Sequence, residues 1–103
     1  MTLTEMLARV RRRLQLTDDK QDELLCDLLA DASALMLGYL GREELPPALE
    51  GVQCQLAAIL YNRLGMEGEA RRSEGGVSIT VDTLPADITA QLTPWRLGKA
   101  VML

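Results

Sequence analysis

The sequence predicts an all-α fold: a small bundle of three main helices plus a short terminal helix, with a glycine-rich loop and a short extended, β-like arm before the last helix. Three observations carry this. Apolar residues recur at spacings of three and four over most of the first 64 positions, which is the period of an amphipathic helix. Capping residues, glycines and prolines fall where those periodic stretches begin and end. Only Val77, Ile79 and Val81, alternating with Ser78, Thr80 and Asp82, show the period-two pattern of a strand.

The first helix spans about Leu3 to Leu16. Thr2-x-x-Glu5 has the spacing of a capping box, and Leu3, Leu7, Val10 and Leu14 form one stripe. The second runs from about Asp19 to Leu40. Thr17 or Asp18 is its expected N-cap, Asp18-x-x-Gln21 matches a second capping box, and Gly41 is placed to stop it. Its inner face carries Leu24, Leu25, Leu28, Leu29, Ala32, Leu35, Met36 and Tyr39. Tandem prolines then break the helix, and Pro47 is suited to open a third one that ends at Leu64 with Gly65 as its cap.

That third helix has two apolar faces. Leu49, Val52, Leu56, Ile59 and Leu60 form the main one, while Cys54, Ala58 and Tyr61 form a weaker one roughly opposite, so the helix is either sandwiched in the core or shared with a neighbour. Beyond it, residues 65–83 read as a flexible loop and extended arm, and residues 84–103 as a terminal helix and tail. Pro85 stands near the start of that last helix, Ile88 and Leu92 share one side, and Pro94 ends it. With residues 1–64 as the helical core, these pieces form one domain, as expected for 103 residues.

Composition narrows the function. The chain lacks Phe and has only Tyr39, Tyr61 and Trp95 as aromatics, so its core is aliphatic. It also lacks histidine, which removes Ser-His-Asp and Cys-His catalysis and the usual histidine metal sites. Neither phosphate-binding glycine motif occurs around Gly75-Gly76. No catalytic, cofactor or metal residue is therefore assigned, and the expectation is a non-enzyme without cofactors. Cys26 and Cys54 lack zinc-ligand spacing and read as buried free thiols. The absence of a leader-like opening and of any membrane-length apolar run predicts a protein made and kept in a reducing cytosol.

The charges are more informative than the net value of -4, which argues against nucleic-acid binding over the whole surface. Asp19, Glu23, Asp27 and Asp31 stand four apart along the second helix, like charges that repel mildly unless something compensates. They read as a solvated face in preference to a divalent-metal site. Arg9, Arg12 and Arg13 lie off the apolar stripe of the first helix. They serve as a solvated basic surface, as contacts to DNA phosphates, or as partners for an acidic face in the same chain or the next copy.

The stretch from Tyr61 to Leu92 carries a distinctive order: "YNR", a segment rich in glycine and glutamate, "SEGGVS", a short β-like run, "LPADI" and a final "QL". In this order, and over most of the chain, the sequence resembles the small head-tail connector proteins of long-tailed bacteriophages and prophages, also described as head-completion or DNA-packaging proteins. The resemblance implies a helical adaptor, made in the bacterial cytoplasm and placed in the virion at the head-tail junction. Its copies would form a ring on the portal protein, joining it to the next connector or tail-completion protein while DNA passes through without sequence-specific binding or membrane contact.

Ring assembly head-to-tail brings two different surfaces of one chain together. Arg9, Arg12 and Arg13 facing Glu23, Asp27 and Asp31 of the next copy, with Cys54, Ala58 and Tyr61 as a shared apolar face, are the expected subunit contacts. Arg71, Arg72, Val77, Ile79 and Val81 form an expected arm that docks on the portal by adding a strand to it. The alternative for that arm is a flexible loop packing its apolar side chains locally. Trp95 either anchors a partner or covers the small core. A different class of function, a small DNA-binding regulator using the Arg-rich first helix, lacks a helix-turn-helix pattern.

Overall fold

The computed structural model of the protein describes residues 1–72 and 84–97. These form helices α1 (Leu3–Leu14), α2 (Asp22–Leu40), α3 (Glu50–Arg72) and α4 (Ala86–Leu92), with short 3-10 turns at Pro47–Leu49 and Thr93–Trp95 and no strand among the described residues. The all-α bundle is what the periodicity predicts. The expected arm at Val77, Ile79 and Val81 lies outside the described residues, whereas the first part of the expected glycine-rich loop, residues 65–72, belongs to α3.

α1 begins as read. Thr2 accepts a hydrogen bond from the Glu5 amide, and the Glu5 carboxylate accepts one from the Thr2 amide, completing the capping box. The helix stops at Leu14, two residues before the expected end, because Gln15 turns into the left-handed region at φ 61° and its amide returns to the carbonyls of Arg11 and Arg12. The stripe also needs correction. Met6 and Val10 are the buried residues of α1, whereas Leu3 is 54% exposed. Leu3 lies within the apolar arc on a wheel, yet in the first turn it stays largely in solvent.

α2 starts at Asp22, later than expected, and the second capping box does not form. Gln21 is the N-cap without a side-chain bond, and Asp18 instead accepts the amide of Lys20, closing a local turn. Gly41 does stop the helix, at φ 70°, with its amide bonded to the Leu37 carbonyl. α3 begins after the Pro47 turn and continues through Gly65 to Arg72. The expected stop at Gly65 is thus corrected: interior glycine costs a helix only about 1 kcal/mol, and the flanking Met66, Glu67, Glu69, Ala70, Arg71 and Arg72 are good helix formers.

Contacts advance in step along α1 and α3, from Met1 beside Glu50 to Met6 beside Cys54, so these two helices run in the same direction. α2 folds back against both, and α4 crosses α2 and α3. The core gathers Met6 and Val10 of α1, Leu25, Leu28, Leu29, Ala32, Leu35, Met36 and Leu40 of α2, Leu56, Ala57 and Leu60 of α3, and Ile88 and Leu92 of α4. Burying these aliphatic side chains supplies most of the drive to fold, about 25 cal/mol for each Å² of apolar surface removed from water. One buried polar side chain, Gln53, is satisfied by donating from Nε2 to the Leu29 carbonyl at 2.8 Å, which ties α3 to α2.

Candidate functional site

The two faces of α3 are both used within the chain. Cys54 is fully buried and Ala58 nearly so, because α1 packs over them; the Cys54 thiol approaches the Met6 carbonyl at 3.8 Å. Of the two readings left open by the sequence, the sandwich holds for these residues, and only the half-buried Tyr61 of that face reaches the surface. Burial pushes the Cys54 thiol above its ordinary pKa, opposed by the positive fields of Arg9 and Arg13. Both arginines stand on the side of α1 that meets α3, where Arg13 lines a groove with Ala58 and Ile59. The Arg9 guanidinium indeed reaches α3 at Gly51, lying 3.5 Å from where a Cβ would stand.

A different arginine faces α2. Arg11 donates from Nε and Nη2 to the two carboxylate oxygens of Asp22, at 2.9 and 3.1 Å, a paired fork that pins the α1–α2 corner. Neither residue stood among the candidates. The signal was present in the wheel, since Arg11 lies beyond Leu7 and Leu14 on the flank opposite Arg9 and Arg13, but its partner depended on where α2 starts.

Six other charged candidates have no partner within the described residues. Arg9, Arg12 and Arg13 are exposed and make no ion pair or hydrogen bond there, and neither do Glu23, Asp27 and Asp31. Glu23 and Asp27 are exposed and Asp31 is half-buried. Among the described residues no three potential metal ligands come together, and no helix is long and apolar enough to cross a membrane.

Next to the arginine flank lies an open groove of about 620 Å³ between the end of α1, the outer side of α3, and α4. Ala58 and Ile59 form its floor, Arg13 one wall, and Asp87, Ala90 and Gln91 the other. Its shape depends on α4, which is held by the buried Ile88 and Leu92 and by a hydrogen bond from Gln91 to Gln55 at 2.9 Å. Sequence spacing identified the two apolar anchors but had no means of placing them over α3.

Past α4 the chain straps onto the end of α2. Tyr39 and Thr93 share a hydroxyl hydrogen bond of 2.8 Å, Arg42 donates to the Trp95 carbonyl, the Leu97 amide donates to the Leu40 carbonyl, and the Arg96 guanidinium sits 4.6 Å from the Tyr39 ring centre. The strap works through backbone and polar groups. The Trp95 and Leu97 side chains remain 37% and 47% exposed, so Trp95 is not a core residue. Arg71 and Arg72 fall in the last turn of α3, and Val77, Ile79 and Val81 lie outside the described residues.

Among the described residues the bundle carries a basic α1, an acidic α2 and a shallow groove, features that suit more than one kind of protein. The comparison with known families decides which kind: the family model described as phage gp6-like head-tail connector protein matches residues 4–96. The chain belongs to the phage gp6-like head-tail connector family. No curated protein and no solved structure matches it. The match runs from the first turn of α1 to the strap beyond α4, so the family covers the whole described bundle. This connector protein therefore has a structural role among the components of a phage virion.

Proposed function

We propose that this connector protein is an adaptor subunit whose copies close into a ring on the portal at the capsid vertex, linking the DNA-filled head to the next connector and the tail. The family match over residues 4–96 carries the reading. The distribution of charge supports it: one chain presents arginines on α1 and carboxylates on α2 that make no ion pair among the described residues, and a closed ring needs two unlike, complementary surfaces on each subunit. In this role the protein performs no chemistry and needs no cofactor. DNA passes through the ring without being read.

The test is the mass of the purified protein in solution, alone and mixed with purified portal rings. A ring alone, or a stoichiometric complex with the portal, is expected. A strict monomer at all accessible concentrations that ignores the portal overturns the proposal.

A further inference from the structure

The groove between α1, α3 and α4 has a flank of arginines that make no ion pair among the described residues and a floor of small and half-buried apolar side chains, and the chain itself carries the complementary helix. We propose that this groove receives the first half of α2 from a second copy, with Glu23 and Asp27 set against Arg9 and Arg13. The inference rests on the self-assembly proposed above and assigns the surfaces that perform it.

Spacing is the first argument. Arg9 and Arg13 are four residues apart on α1, as Glu23 and Asp27 are on α2, so each pair spans about 6 Å along its helix axis. Two helices laid side by side can therefore match both charge pairs in one register. Arg12, one turn from Arg9 and exposed, lies within the same basic surface, and Asp31 extends the acidic row by one more turn.

Availability is the second. Arg11 and Asp22, the neighbouring charges, are already committed to each other by two hydrogen bonds. The six remaining groups make no ion pair or hydrogen bond among the described residues. Like charges spaced one turn apart on α2 repel weakly in the free chain, and that repulsion is relieved when cations approach from outside.

Shape is the third. Arg13 belongs to both the basic flank and the wall of the groove, so a helix drawn to the arginines lies along the groove mouth. The α2 surface following Asp27 presents Ala30 and Ala34, both exposed, which lets a partner helix come close. Asp87 sits on the far wall, and its charge disfavours a carboxylate there. This keeps the acidic row on the α1 side of the groove.

Three variants of the full chain test this by sedimentation equilibrium, with circular dichroism checking that each remains folded. Arg9→Glu with Arg13→Glu should weaken self-association by about tenfold or more, which is about 1.4 kcal/mol or more. Combining it with Glu23→Arg and Asp27→Arg should restore association. Ala90→Trp, an exposed position on the α4 wall, should fill the groove and weaken association while leaving α4 in place. If the wild type assembles and the arginine and Ala90 variants assemble equally well, the groove assignment fails while the ring survives. Weakening without restoration by the charge swap overturns the pairing with Glu23 and Asp27. A wild type that never associates overturns both.

Discussion

Replacing Ile88 by alanine tests whether α4 is a packed part of the bundle. Ile88 is 1% exposed, and besides Leu92 it is the only buried side chain of α4. The substitution removes three carbons, worth about 0.8 kcal/mol each in transfer, or roughly 2.4 kcal/mol. The space left between α4 and α3 adds a cavity cost, so a total of about 3 kcal/mol is expected. A domain of this size has only about 5–15 kcal/mol to lose. Urea unfolding followed by circular dichroism should show the midpoint falling with little change in slope, and the melting temperature should drop by roughly 12–24 °C. Should α4 come off as a unit before the bundle melts, the global loss will be smaller. The amides of Thr93 and Leu97, bonded to Thr89 and Leu40, will then exchange faster instead. An Ile88→Ala protein with an unchanged midpoint and unchanged exchange at both amides would refute the packing of α4 described above.

Two further outcomes follow from single residues. Gly41→Ala should cost about 1 kcal/mol through strain alone, since the position holds φ 70° and a Cβ there meets nothing within 4 Å, while Gln15→Gly, at φ 61°, should gain on the order of 0.5 kcal/mol; chemical denaturation of the pair checks both signs. Cys26, half-buried, should react with a thiol reagent well before Cys54, whose labelling requires the bundle to open. Because burial raises the Cys54 pKa in the folded state, the neutral thiol favours folding without penalty below the ordinary value near 9, and stability falls as pH rises above it. The unfolding midpoint of the wild type should therefore drop more between pH 8 and pH 10 than that of Cys54→Ala, and equal drops would contradict the burial.

The helical core was legible because its information is local. The Thr2 capping box, the Gly41 stop, the Pro47 start, and the α4 anchors Ile88 and Leu92 all depend on residues within a turn or two of each other. The misreadings share the opposite cause. Leu3 and Met6 both lie within the apolar arc of α1, and only the extent of the neighbouring helices decides that Met6 is covered and Leu3 is not. Gly65 carries a stop signal that the helix formers after it outweigh. Asp18 had the right type and spacing for a cap, yet its own turn captured the side chain first.

The surfaces divide in the same way. Sequence order alone was enough to indicate the connector family, since the motifs from Tyr61 to Leu92 are a property of the chain and not of its folding, and the match over residues 4–96 establishes it. Helical period was likewise enough to separate an acidic α2 from a basic α1. Tertiary structure decided which charges are spent inside the subunit: Arg11 on Asp22, leaving Arg9, Arg12 and Arg13 outward. It also decided that α1 covers Cys54 and Ala58, and that α4 raises the second wall of a groove beside Arg13. A periodic pattern states which residues share a face, but what that face meets depends on where distant segments pack, and that is set by the competition among all apolar faces for one small core.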